Sequence, residues 1–260
     1  MHAPGILPQK IGNWRDIGGP SAPGGSTVAS GVLYRSAHPA DATAQDIRLL
    51  AELGIRLIVD LRSTPEVEAE GTIRVDGARR LAFDLPAPDP YLRLRAHLAN
   101  RDMAGLADYL GGGTPEELED AMARQMADFY TAMADDPHRT FGAALRDLCD
   151  PANTPALVHC SAGKDRTGRL VALVLLAAGL DESAVVEEYL LSNAASPLPM
   201  DDSPVTRLIR PALTVRPEYL TTALDHVRAR HGSIDAYLRD ALGVDDTMRD
   251  ALRARLLASP

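Results

Sequence analysis

Lysine is almost absent from this chain of 260 residues: Lys10 and Lys164 stand alone among 27 basic residues, against 36 acidic ones. The formal net charge is -9. Such a balance excludes a general nucleic-acid binder, whose affinity rests on neutralising phosphates with many cations. It does not exclude one local basic pocket. Cysteine is equally scarce. Cys149 and Cys160 cannot staple a chain of this length, and no Cys/His spacing suggests a metal site. No stretch reaches the roughly 18 uninterrupted apolar residues of a membrane span. The richest, Leu170 to Ala178, reads as a buried helix. The N-terminal MHAPGILPQK lacks the charged, apolar, small-residue order of a secretory signal. The expected compartment is the cytoplasm, or the exterior by a route that leaves no recognisable signal peptide.

What is present reads as a globular α/β protein, with 45% apolar and 24% charged residues. Residues 1–30 are rich in Gly, Pro and Ser and are expected as loop. Gly31 to Arg35 is a short strand candidate, and Thr43 to Leu53 carries apolar residues at helical spacing up to Gly54. Ile55 to Val59 then reads as a buried strand that ends in Asp60-Leu61-Arg62-Ser63. Helix, short apolar strand, polar residues at the strand's carboxyl end is the rhythm of an α/β sheet, whose ligands bind at those ends. Leu81 to Asp84 is a further strand candidate, closed by Pro86, Pro88 and Pro90. Thr114-Pro115-Glu116-Glu117 starts a helix within a largely helical stretch from Tyr91 to Cys149. Ala156 to His159 is the next strand and Thr167 to Gly179 the next helix. Beyond them Asp181 to Ser192, a short helix around Leu208, and residues 217–231, 233–242 and 245–258 are read as helices. One domain over 1–260, with a central mostly parallel sheet flanked by helices, accounts for the pattern.

Between the strand 156–159 and its helix lies His159-Cys-Ser-Ala-Gly-Lys-Asp-Arg-Thr-Gly168. Cysteine is a nucleophile only as thiolate, and backbone N–H groups at a strand-to-helix turn favour that form. The same N–H groups make an anion nest from Ser161, Ala162, Gly163 and Lys164. Gly163 can take a positive φ at no steric cost. Arg166, six positions after Cys160, returns beside the sulfur if the loop curls around one centre, where its fork can hold a phosphoryl group. Lys164 adds a second cation. Ser161 and Thr167 carry hydroxyls that could bond the thiolate, and His159 is better suited to fixing the loop than to acting as a base. A Walker loop fits poorly, because Val158 stands where it needs glycine and Asp165 where it needs Ser or Thr. Cys149, without a cation or glycine beside it, reads as core.

This motif resembles that of the cysteine-dependent protein tyrosine phosphatase superfamily, and Lys164-Asp165 inside it resembles one bacterial group of that superfamily. Further matching stretches are Asn13-Trp-Arg-Asp-Ile-Gly-Gly19, Leu33-Tyr-Arg-Ser36, Val59-Asp-Leu-Arg-Ser63 with Glu66, Tyr189-Leu-Leu-Ser-Asn193 and Gly232-Ser-Ile-Asp-Ala-Tyr-Leu238. The resemblance implies a tyrosine phosphatase-like fold and phosphomonoester hydrolysis without metal or cofactor, with Cys160 as nucleophile and Arg166 holding the phosphoryl oxygens. Phosphotyrosine is the implied substrate, with phosphoserine, phosphothreonine and phosphoinositides beside it, so the partners expected are phosphoprotein or phospholipid substrates. Asp165 is the favoured proton donor and Asp84 its rival. Arg62 is expected at the substrate through its matched motif, with Arg139 and Arg210 as further pocket arginines. A helical lid is implied at about 204–231. Two other classes stay open: a catalytically silent phosphate-recognising module, and another thiolate enzyme such as a sulfurtransferase.

Overall fold

The structure, a computed structural model, describes residues 7–85, 93, 96–135, 140–195 and 203–258. Arg139, the prolines at 86, 88 and 90 and the proline-containing break at 196–202 lie outside the described residues.

Strands β1 (Arg15–Asp16), β3 (Leu33–Ser36), β4 (Leu57–Asp60), β5 (Arg79–Ala82) and β6 (Ala156–His159) form one sheet in the order β1-β3-β6-β4-β5. The neighbours β3, β6, β4 and β5 run parallel, and β1 is antiparallel at the β3 edge. Every residue of β3, β4 and β6 is buried, as expected of parallel strands covered on both faces. The register then matters. Ser36 and Asp60 both pair with His159, so the polar residues that close the three central strands share one level at the carboxyl edge. Cys160 is the next residue.

Helix α1 (Ala44–Glu52) starts at a capping box of Thr43 and Asp46, and α2 (Thr64–Glu70) at one of Ser63 and Glu66. α3 (Met103–Tyr109) is followed by the long α4 (Pro115–Ala134), capped by Thr114, and by α5 (Gly142–Cys149). α6 (Asp165–Ala177) is buried along nearly its whole length and leads to α7 (Glu182–Leu190). α8 (Pro204–Leu213) and α9 (Pro217–His231) both pack on α4. α10 (Asp246–Leu256) precedes β7 (Leu257–Ala258), which pairs with β2 (Thr27–Val28) near the other end of the chain.

Three expectations need correcting. The first 30 residues are not all loop, since β1 and β2 each contribute two paired residues; strands that short carry no readable alternation. The strand expected at 81–84 lies two residues earlier, and Asp84 takes φ 41°, outside any strand conformation. α6 begins at Asp165 rather than Thr167, which places Asp165 and Arg166 on the helix's first turn.

Candidate active site

The loop from Cys160 to Lys164 is gripped by its carbonyls. Ser161 O accepts from the His38 amide at 3.0 Å. Asn13 Nδ2 donates to Ala162 O at 3.1 Å and to Gly163 O at 2.9 Å. Arg35 Nη2 donates to Gly163 O at 2.8 Å and to Lys164 O at 3.3 Å. With the carbonyls committed to these donors, the N–H groups of Ser161 to Lys164 meet no acceptor among the described residues. Successive unpaired N–H groups leading into a helix N-terminus form an anion cradle. Gly163 makes the turn possible on two counts. Its φ is +66°, and a Cβ there would lie 2.1 Å from Ser36 O.

The arginines behind the loop explain two motifs whose roles were not legible in sequence. Arg35 is fully buried in β3 and reaches Glu188 Oε2 at 2.7 Å, while Arg15 reaches Glu188 Oε1 at 2.8 Å. Ser192 Oγ accepts from both guanidinium groups. Burial, and then the charge of Arg35, bring Arg15 down to about 10, so it remains a cation at neutral pH. A signal did exist: an arginine inside an apolar four-residue strand needs a buried acid.

Arg166, in the first turn of α6, is oriented by Glu66 of α2. Nη1 and Nη2 reach the two carboxylate oxygens at 2.6 and 2.7 Å, and Nη1 also donates to Leu61 O at 3.1 Å and Leu85 O at 3.4 Å. Glu66 further accepts from Ser161 Oγ at 2.7 Å. Burial pushes the Glu66 carboxyl up, yet Arg166 with Ser161 and the Ser63 amide holds it down at about 2. Ser161 therefore spends its hydroxyl on Glu66. Thr167 Oγ1 is buried with no hydrogen-bond partner among the described residues. His159 is buried with Nδ1 3.4 Å from Cys160 O and 3.7 Å from Asp60. Burial pulls it down to about 4 even against the Asp60 charge, so it is neutral at physiological pH.

Asp165 and Lys164 face inward together. Asp165 Oδ1 accepts from Tyr130 at 2.7 Å, and Tyr130 in turn accepts from Tyr189 at 2.5 Å. Asp165 Oδ2 lies 3.4 Å from Lys164 Nζ, which donates to Ala212 O at 2.5 Å and Thr214 O at 3.2 Å. Those carbonyls close the C-terminal end of α8. Asn193 adds a second tie there, exchanging two bonds with the Val215 backbone at 2.7 and 2.9 Å.

Arg62 is not where the sequence placed it. It is 1% exposed, and its fork is committed to Asp60, Glu70 and the Gly71 carbonyl, so it braces β4 and α2 rather than the loop. Arg210 is half-buried in the last turn of α8. Asp84 is exposed just beyond β5, accepts from the Thr64 amide at 2.6 Å, and precedes the residue whose carbonyl meets Arg166. Cys149 packs in the core, where burial pushes its thiol up to about 11. Among the described residues no group of His, Cys, Asp and Glu is arranged to hold a metal ion, and no helix is long and apolar enough to cross a membrane.

The sequence profile described as the tyrosine phosphatase family matches residues 7–258. A Cupriavidus necator protein named as a tyrosine-protein phosphatase is 33% identical over 90% of this chain and 83% of its own length. The triple specificity protein phosphatase PtpB of Mycobacterium tuberculosis is 31% identical over 94% of this chain and 96% of its own. An inositol diphosphatase of Arabidopsis thaliana is 32% identical over 48% of this chain and 53% of its own.

Proposed function

This chain belongs to the tyrosine phosphatase family, and we propose that it hydrolyses phosphotyrosine through a phosphocysteine formed on Cys160. The observation that carries the reading is the loop itself, with its carbonyls gripped from outside, its N–H groups unpaired, and a clamped Arg166 beside them. Phosphate binds in the N–H cradle of Ser161, Ala162, Gly163 and Lys164. The Cys160 thiolate attacks phosphorus as the bond to the aryl oxygen breaks. Arg166 and the cradle hold the equatorial oxygens through that loose transition state. Water then displaces sulfur, releasing inorganic phosphate and restoring the thiolate. The buried, unpartnered Thr167 hydroxyl is the group best suited to receive the leaving sulfur's charge.

The departing phenoxide takes its proton from Asp84 in this reading. Asp165, favoured through the resemblance, has a donor on each oxygen, whereas Asp84 is exposed and stands next to Leu85, whose carbonyl meets Arg166. α8 and α9 serve as the lid over 204–231, joined to the loop through Lys164. Phosphoserine, phosphothreonine and phosphoinositides join phosphotyrosine as substrates; the triple specificity in the name of the M. tuberculosis relative and the inositol diphosphatase match support that breadth.

The test is release of inorganic phosphate from a phosphotyrosine peptide in chelator, with Cys160→Ser as control, followed by the same assay on phosphoserine peptides and phosphoinositides. Turnover lost in Cys160→Ser is the expected result. Binding without release by the wild type would move the protein to the silent-module class.

A further inference from the structure

Three of the core's buried tyrosines lie against one another. Tyr130 of α4, Tyr189 of α7 and Tyr219 of α9 are each at most 2% exposed, with ring centroids 6.0 Å apart for Tyr130 and Tyr189 and 5.7 Å for Tyr130 and Tyr219. A buried phenol is costly unless its hydroxyl is paired. Tyr219 resolves its own by donating to Pro211 O at 3.0 Å. The other two hydroxyls run in series, Tyr189 to Tyr130 to Asp165 Oδ1, at 2.5 and 2.7 Å. The Tyr130–Asp165 distance is that of a charge-assisted O–H···O bond.

Counting protons fixes the direction of the series. Two hydroxyls supply two protons, and Tyr189 has no second acceptor among the described residues. Each proton finds a lone pair only if the last member accepts without donating. A proton on Asp165 Oδ1 would leave one phenol donor unpaired in the core. A proton on Oδ2 would face the Lys164 ammonium, 3.4 Å away. Among the described residues the charged and titratable groups that face Asp165 are Lys164 from its own segment, Tyr130 from α4, Tyr189 from α7 and Tyr219 from α9, and none of them is a carboxylate. Burial, and after it the Asp165 charge, raise both Tyr130 and Tyr189 well above an ordinary phenol, so both remain donors across the working range.

We propose that Tyr130 and Tyr189 are positioning residues for phosphoryl transfer: their hydroxyl series holds Asp165 as a carboxylate, which anchors Lys164 and the first turn of α6. The carboxylate takes its place opposite the ammonium that also binds the end of α8, so the loop, α4, α7 and α8 meet at one side chain. Asp165 then supplies geometry, while the proton comes from elsewhere. The inference rests on the phosphatase reading, and its test separates the two.

Tyr130→Phe, Asp165→Asn and the double variant form a cycle, read as kcat/KM on p-nitrophenyl phosphate and on a phosphoserine peptide. If Tyr130 acts through Asp165, each single change lowers kcat/KM about tenfold on both substrates, and the double variant is no worse than Asp165→Asn. Tyr189→Phe gives a smaller loss in the same direction, and stands in should Tyr130→Phe fail to fold. Asp84→Asn alone penalises the poorer leaving group more strongly. Additive losses in the double variant would overturn the proposal, as would a loss confined to the poor leaving group in Asp165→Asn. The same cycle on inorganic phosphate affinity, measured by calorimetry, needs no turnover. An inactive wild type would therefore remove the phosphatase reading while the coupling between Tyr130 and Asp165 is still read.

Discussion

Glu66→Gln is the substitution that most directly tests how Arg166 is held. The change preserves shape and removes the charge. Glu66 Oε2 accepts from Arg166 Nη1, the Ser63 amide and Ser63 Oγ, and Oε1 accepts from Arg166 Nη2 and Ser161 Oγ. Since each oxygen takes one arginine donor, the glutamine NH2 meets an Arg166 N–H in either orientation. Two routes give the magnitude. The carboxyl falls from 4.5 to about 2, which corresponds to about 3 kcal/mol of stability at neutral pH. Removing one member of a buried ion pair costs about 3–5 kcal/mol. Glu66 is 6% exposed, so solvent screening discounts little of either figure. The sign follows from the lowered carboxyl: its contribution is complete above 4.5 and is lost as the pH falls through about 2. Urea unfolding at pH 7 should therefore show a deficit of about 3 kcal/mol for the variant, shrinking by about 1.4 kcal/mol at pH 3.5. Phosphate release should fall roughly 100-fold, the scale of a misplaced catalytic group. A deficit below about 1 kcal/mol at pH 7, or one that does not change down to pH 3.5, refutes the account of Glu66 as the clamp.

Gly163→Ala meets both a positive φ and the Ser36 carbonyl, so phosphate release should fall by about 100-fold or more with far-UV circular dichroism unchanged. Activity within threefold of wild type would show that the turn tolerates a side chain. Lys164→Met removes the donor from Ala212 O and Thr214 O, and hydrogen exchange across 208–215 should accelerate about tenfold. Arg207→Ala deletes only pairs that solvent reaches, with Glu116 and Glu119, and should leave that exchange within about threefold; the reverse ranking would move the anchor of α8 from the loop to its surface.

The junction that carries Cys160, Gly163 and Arg166 was legible because its pattern is local: one short segment between the strand β6 and the helix α6. The sheet was legible for a similar reason, since β4 and β6 are short apolar runs ended by a polar residue. What escaped was whatever depends on pairing across the chain. Arg62 has the same residue type and the same strand-end position as a substrate arginine, and only the partner two residues earlier, Asp60, shows that its fork is already committed. Glu66 lies 100 positions from Arg166 in sequence. The Tyr130, Tyr189 and Asp165 series joins three separate helices, and a tyrosine at a core position has no periodic signature that separates it from phenylalanine. β1, β2 and β7 are two residues each, below the length at which alternation means anything.

The scarcity of lysine takes on a physical meaning at Lys164. This chain meets other buried cationic needs with arginine: Arg62 and Arg166 each present a planar fork to a carboxylate and gain two directed bonds from it, and Arg35 divides its fork between Glu188 and the loop carbonyls. Lys164 faces a different problem. Its partners are two carbonyls near the end of α8, Ala212 O and Thr214 O, and one oxygen of Asp165, gathered around a single point. An ammonium distributes three donors around one nitrogen, whereas a guanidinium spreads five in one plane and needs room for it. The helix end also supplies the negative pole of its dipole, to which a compact charge couples well. Lysine is thus the cation that can join a loop, a helix end and a carboxylate at one atom. Its backbone N–H meanwhile stays unpaired among the described residues, so one residue leaves its main chain to the cradle and gives its side chain to the surrounding helices.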